Sequence, residues 1–358
     1  FYINYEIVTE IIMEYNNHQH FAIENDEKDS LKNFQKKFHI PKNKFGNSLI
    51  YFAGNSLGLQ PIDTQDSINK EIERWKIDAV EAHHNGKNPW YSYHELLTES
   101  MAKIVGAQPN EVVTMNSLTV NLHLLLVSFF RPKNNRKKIM IENRAFPSDR
   151  YAVLSQLNFH NLNESELIEV GNNSQNYIIE TDTILNAIDA YKDELALILI
   201  GGVNYFTGQK FEIKKIVEKA HQHNIIVGFD LAHAAGNIKL KLHDWNVDFA
   251  AWCSYKYLNG GPGNHGSIFV HSNHLQNPKI KRFSGWWGHN KKTRFLMPNT
   301  FDPILSAEAW QLSNPSITSL AALKTSLDIF MEAEIDNLIN KSNYLTGYLA
   351  YLLKIELP

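Results

Sequence analysis

The sequence predicts an α/β fold: a mostly parallel central sheet with flanking helices. Three observations carry that reading. Short runs of aliphatic and β-branched residues recur along the chain, amphipathic stretches separate them, and the runs are apolar on both faces. A strand with one face in water would alternate instead.

The elements follow in order. NSLTVNLHLLL (116–126) opens a helix, with Ser117 and Thr119 at its start. KKIMIEN (137–143) reads as a strand and RYAVLSQLNFHN (150–161) as a helix. LALILIGGVN (195–204) is a strand. EIKKIVEKAHQHN (212–224) is a helix, because Ile213, Ile216, Val217 and Ala220 fall on one face. NIIVGFD (224–230), VDFAAWCSY (247–255) and GSIFVH (266–271) complete the strands. The basic stretch at 28–44 reads as a solvated helix running into a loop.

Composition narrows the function. The 358 residues suit one large core plus a smaller unit. A formal charge of -3 and no basic stripe give no reason to expect nucleic acid. The longest apolar runs fall well short of the about 20 residues that cross a bilayer. The N-terminus carries acids where a secretion signal would carry basic residues. Cys253 is the single cysteine, so no intrachain disulfide can form and a reducing compartment, the cytoplasm, is expected.

In parallel sheets ligands bind beyond the carboxyl ends of the strands, so the polar residues there matter most. Asp230 ends one strand, with His233 close behind. Lys256 ends another, after an apolar run and before two glycines. Taken singly, Asp230 reads equally as a turn cap, Lys256 as a surface lysine and Ser117 as a helix cap. Together they suggest pyridoxal phosphate (PLP). That cofactor needs a lysine for its aldehyde, an acid for its ring nitrogen, a flat group such as His233 against the ring, and a phosphate cradle. The start of the 116–126 helix offers such a cradle.

Two other patterns are set aside. Gly261, Gly263 and Gly266 fit the dinucleotide fingerprint, but a strand follows them where that motif requires a helix. The pairs His83–His84 and His221–His223 complete no metal-ligand set.

Several motifs then resemble kynureninase: YFAGNSLGLQP (51–61), PWYSYHELL (89–97), MNSLTVNLHLL (115–125), AFPSDRYAV (145–153), GFDLAHAAGN (228–237), HDWNVDFAAWCSYKYLNGGPG (243–263) and GWWGH (285–289). The resemblance runs from about residue 30 to about residue 330. It implies the PLP-dependent transferase-like fold type I. The implied organisation is an N-terminal arm or small-domain segment at 1–50, a large PLP-binding domain at 51–310, and the start of an incomplete small α+β domain at 311–358. It implies hydrolysis of L-kynurenine or its 3-hydroxy form to anthranilate, or 3-hydroxyanthranilate, and L-alanine, in tryptophan degradation and NAD biosynthesis.

Carried over by position, the resemblance makes Lys256 the Schiff-base lysine and Asp230 the partner of the ring nitrogen. Leu118, Thr119 and Tyr255 lie at the phosphate, and Tyr255 or Lys256 is the late proton donor. Phe146, Pro147, Ser148 and Asp149 wall the cofactor, with His233 beside it. Trp286 and Asn314 contact cofactor or substrate, in this family from a second subunit, which implies a homodimer. Ser56 lies along the substrate pocket, and His83, Ser313 and Asn314 bear on the ring hydroxyl.

Departures are also legible. Phe206 and Gly201 stand where the family has Tyr and can have Ser, both expected at the phosphate. The resemblance further implies residues beyond Pro358, with an arginine for the substrate carboxylate. The last arginine here, Arg294, falls in a different motif, KKTRF. Alternative readings are a class V aminotransferase-like enzyme, a catalytically weak PLP-binding protein and, least supported, a cysteine desulfurase using Cys253.

Overall fold

The apolar runs form seven strands of one sheet in a computed structural model that describes residues 15–171, 177–277 and 279–357. They are β1 (Val112–Met115), β2 (Lys138–Glu142), β3 (Leu167–Val170), β4 (Leu195–Gly201), β5 (Ile226–Asp230), β6 (Phe249–Cys253) and β7 (Gly266–Val270). The order is β1-β7-β6-β5-β4-β2-β3. β2 to β6 pair in parallel, and β7 alone runs against the rest, antiparallel to both β1 and β6. Parallel neighbours need a crossover, usually helical, and residues 254–265 form turns without a helix, so β7 returns alongside β6.

The helices are α1 (Gln19–Lys28), α2 (Thr64–Asp78), α3 (Thr98–Val105), α4 (Leu118–Phe129), α5 (Pro147–Phe159), α6 (Thr181–Ala190), α7 (Ile213–His221), α8 (Ser272–Leu275), α9 (Ile317–Ala333) and α10 (Ile335–Glu356). They bury the sheet on both faces, and the strand period of two divides the core. Ile198, Ile200, Val227 and Phe229 face α3, α6, α7 and α9, whereas Ile139, Ile141, Leu197 and Leu199 face α4 and α5. The α7 stripe of Ile213, Ile216, Val217 and Ala220 is buried. Each of its larger side chains contributes about 1.5–3 kcal/mol by leaving water. An Ile216→Asp change would put an unpaired charge there and detach the helix.

The outer segments pack together. α1 meets α10 through Tyr344, whose hydroxyl donates to Asn25 Oδ1 at 2.9 Å, and through the Lys341–Asp29 ion pair. Residues 1–14 of the expected arm and Pro358 lie outside the described residues. The segment from 311 onward is irregular through 316 and then helical in α9 and α10. α9 places Leu320, Leu323 and Leu327 in the core of the main sheet. Within 28–44 the expected longer helix is only a 3-10 turn, Lys32–Lys37, with no residue buried. Among the described residues no helix is long and apolar enough to cross a membrane.

Candidate active site

The carboxyl ends of the parallel strands open into a cavity of about 400 Å³. Its floor is made by strand ends: Glu142 of β2, Gly201 of β4 and Asp230 of β5, with Gly201 paired directly to Asp230. Lys256 enters from the turn after β6, and Asn259, at φ +51°, tightens that turn by donating its N–H to the Lys256 carbonyl at 3.1 Å. The half-buried Lys256 Nζ donates to His233 Nε2 at 2.8 Å. Lysine has only donors, so His233 must accept through Nε2. Burial and the Lys256 charge push the His233 pKa down to about 4, which keeps the ring neutral.

The carboxyls divide the proton load. Asp230 is buried, and its Oδ1 accepts the Ala232 N–H at 2.7 Å, which fixes the turn into LAHAAGN. Burial raises its pKa, whereas the Ala232 N–H, a hydrogen bond with Asp149 and the Lys256 charge oppose that rise. Asp149, in the first turn of α5, is held well above the carboxylate range by burial and by the Asp230 charge. Asp149 is therefore the proton-bearing partner and Asp230 the anion.

β1 reaches the cavity through Asn116, whose φ of +48° turns the chain into α4. Asn121 Nδ2 ties the turn down by donating to the Met115 carbonyl at 2.9 Å. Ser117 caps α4 without its hydroxyl taking a first-turn N–H. Those N–H groups, with Ser117 and Thr119 on the cavity wall, are an anion cradle. The GNSLG loop lies opposite. Gly58 N–H donates to the Tyr255 carbonyl at 2.9 Å, and a Cβ at Gly58 would sit 2.3 Å from the Lys256 carbonyl oxygen. Only glycine allows that approach, and it carries Asn55 and Ser56 to the rim.

The cavity brings together Ser56, Leu118, Thr119, Phe146, Ser148, Asp149, Asp230, His233, Tyr255 and Lys256 from the sequence reading. Pro147 begins α5 between two lining residues without lining the cavity itself. His83, Trp286, Ser313 and Asn314 are not in the lining and are exposed in the single chain. The Trp286 indole N–H donates instead to the Arg294 carbonyl at 3.2 Å.

Phe206 requires a correction. It lies outside the lining and packs edge-on against Tyr177 at 5.4 Å, under the Arg144 guanidinium, so no cavity hydroxyl is lost at this position. Tyr205 lines the cavity in its place, and sequence reasoning did not find it. Gly201 does line the cavity. A Cβ there would come within 3.0 Å of Glu142 Oε1, so the Glu142 carboxyl takes the space a serine would use. Glu142 was also missed, although it ends a strand as Asp230 does.

The residues fit PLP. Asp149 Oδ1 is buried without a partner, a lysine stands over an acid floor, and helix N–H groups face the same space. Cys253 does not suit a nucleophile: burial pushes its thiol pKa up to about 11. Outside the cavity, Glu111–His243–His271 and His94–Glu95–Glu308 bring His and carboxylate atoms together. In both, the carboxylates are already paired, Glu111 Oε1 with His243 Nδ1 and the Ser272 N–H, and Glu308 with His94 and Lys291. A surface depression of about 580 Å³ beside α2 is lined by groups that pair with one another, Arg74 with Glu71.

Comparison with known proteins agrees with this geometry. The class-V aminotransferase family matches residues 50–356. The kynureninase of Flavobacterium psychrophilum is 50% identical over 342 residues, covering 95% of this chain and 80% of that protein. The kynureninase of Koribacter versatilis is 51% identical over 336 residues, covering 94% and 79%. Among solved structures, the apo cysteine desulfurase from Thermococcus onnurineus NA1 superposes with a TM-score of 0.67 at 16% identity, covering 97% of this chain and 78% of that one. At that identity the likeness shows the fold alone.

Proposed function

The chain belongs to the kynureninases, within the class-V aminotransferase family, and from that membership we propose how its residues share the work. It is a PLP-dependent enzyme that hydrolyses the side-chain carbon–carbon bond of L-kynurenine to give anthranilate and L-alanine, a step of tryptophan catabolism. When bound, the cofactor supplies an electron-poor ring that takes up the electron pair left at the substrate α-carbon. The rest falls to the chain.

The assignment rests on one observation: the Lys256 ammonium bonds a neutral His233 above the Asp149–Asp230 pair. Lys256 would hold the cofactor aldehyde through Nζ, and the same Nζ is placed to carry the substrate α-proton. His233 accepts from Nζ and aims it. Asp230 keeps the ring nitrogen protonated, and Asp149 holds a proton against Asp230. The α4 N–H groups, Thr119 and the Tyr255 hydroxyl hold the phosphate. Tyr255, whose pKa burial and Cys253 push up to about 12, stays a phenol and is the acid assigned to the three-carbon product. Ser56 borders the substrate from the GNSLG loop, and Phe146 covers the cofactor at the rim.

A homodimer is part of the proposal. The exposed His83, Trp286, Ser313 and Asn314 serve the site of a second copy, with His83, Ser313 and Asn314 facing the substrate ring. The lone buried Cys253 is consistent with a cytoplasmic enzyme. The test is anthranilate fluorescence after L-kynurenine is added to the PLP-loaded protein and to Lys256→Ala. Signal from the parent alone supports the reading. Equal signal from the variant would sink it.

A further inference from the structure

Three strand ends lie side by side on the cavity floor, and two of them carry carboxyls. Glu142 ends β2, Gly201 ends the adjacent β4, and Asp230 ends β5 in register with Gly201. The Glu142 carboxyl is only 4% exposed, and both its oxygens accept the Gly201 N–H at 3.2 Å. Among the described residues no Lys, Arg or His is recorded within ion-pair distance of it. A buried carboxyl held only by backbone N–H groups, its own and that of Gly201, with no cation beside it is costly. The glycine beside it leaves the space it fills. Such an arrangement makes the charge of Glu142 a variable of the cavity.

We propose that Glu142 is a positioning residue of this site: the charge on its carboxyl sets how firmly Asp230 holds positive charge on the bound cofactor ring. The inference rests on the assignment of Asp230 and Lys256 to that cofactor. The titratable groups that line the cavity with Glu142 are Asp149 of α5, Asp230 of β5, His233 after β5, Tyr205 after β4, and Tyr255 and Lys256 after β6, and of these Asp149 and Asp230 interact with its carboxyl. Of the lining groups, Asp149 is pushed toward its protonated form by burial and the Asp230 charge, His233 is neutral and Tyr255 phenolic near neutrality. Among the described residues Lys256 acts on Asp230, whereas no cation acts on Glu142, which leaves Glu142 the carboxyl whose charge is least compensated. Burial, with the Asp230 charge adding to it, pushes its pKa up to about 7 against its own backbone N–H and that of Gly201. It therefore gains its charge across the neutral range, and with that charge the floor becomes better at holding a cation.

The experiment is a pH titration of the visible absorption band of the PLP-loaded protein, with Glu142→Gln and Glu142→Asp alongside. Glutamine keeps the acceptor for Gly201 N–H and removes the charge. Its band midpoint should fall by about one pH unit, a tenfold change in protonation ratio. Glu142→Asp, which keeps the charge but withdraws it, should move the midpoint the same way by a smaller step. Circular dichroism and thermal melting establish which variants are folded. An unmoved midpoint in either folded variant overturns the inference, because a merely structural carboxyl would leave that midpoint alone. A parent that shows no visible band overturns the cofactor assignment and this inference with it, and the parent sample alone reveals that case.

Discussion

The Nζ of Lys256 lies 2.8 Å from Nε2 of His233, twenty-three residues earlier in the chain. The contact joins the turn after β6 to the turn after β5 and gives the lysine one fixed direction. With the His233 pKa pushed down to about 4, the acceptor stays available across the neutral range. Loss of one hydrogen bond to a charged group is worth about 1.5–3 kcal/mol, or about ten- to a hundredfold. His233→Ala should therefore lower kcat/KM by about that factor, measured by anthranilate release. Because His233 does not titrate in the working range, the variant should leave the apparent pKa values of the pH profile where they are. A profile whose acid limb moved would argue that His233 itself exchanges a proton.

Gly58 is a backbone constraint with a measurable consequence. A Cβ there would stand 2.3 Å from the Lys256 carbonyl, and backbone cannot yield as a side-chain tip can. Gly58→Ala should push the GNSLG loop off the Tyr255–Lys256 turn at a cost of about 1–3 kcal/mol. The expected result is a lower melting temperature together with weaker cofactor retention on dialysis. Unchanged retention would mean that the loop is free to stand away from the turn.

The amino ends of the central strands carry a pH dependence of their own. Asp248, just before β6, accepts from His221 at 2.9 Å, from His274 at 2.7 Å and from the Val227 N–H at 2.8 Å. Burial would raise the Asp248 pKa, but these three bonds outweigh it and lower it. The same pair raises the His221 pKa, chiefly through the bond to Asp248. A raised folded pKa gives stability that is fully present below the unfolded histidine value and is lost as pH rises through the folded one. The lowered Asp248 pKa acts at the other end, its contribution being lost as pH falls through the folded value. His221→Gln should therefore destabilise more near about pH 5.5 than near about pH 8.5, by about 1 kcal/mol for a half-buried pair. Denaturant unfolding at the two pH values checks this, and equal losses would refute it.

Cys253 should be chemically silent. The thiol is 3% exposed and its pKa is pushed up to about 11, so almost no thiolate exists near neutrality. A thiol-specific chromogenic reagent should react with the native protein far more slowly than with the denatured chain. Rapid native labelling would reopen a desulfurase-like role for this residue.

Much of the architecture was legible because parallel strands buried on both sides leave continuous apolar runs, and LALILIG and IVGFD are such runs. Lys256 and Asp230 stood out because charge at the end of those runs is costly without a purpose. Glu142 met the same criterion at the end of KKIMIEN and was overlooked, because that apolar run is shorter. The direction of β7 was not legible, because it depends on what residues 254–265 do rather than on the GSIFV run. Phe206 and Tyr205 differ by one position, and only the backbone of the turn after β4 decides which ring meets the cavity. His83, Trp286 and Asn314 came from resemblance alone, and no periodicity in one chain can say what a second copy would bring.

Those exposed residues set the last prediction. If Trp286 serves the site of a second copy, Lys256→Ala and Trp286→Ala damage different halves of one shared site. Each variant alone should be nearly inactive. Mixed after mild dissociation, they re-pair at random, so about half of the dimers carry one of each chain. In such a dimer one site holds both lesions and the other holds neither. One of two sites in half the molecules amounts to about a quarter of parental activity. Recovery near that level, read by anthranilate fluorescence, would mean that the site is built across the interface. A mixture as inactive as its components, in a protein that sediments as a dimer, would mean that Trp286 acts within its own chain.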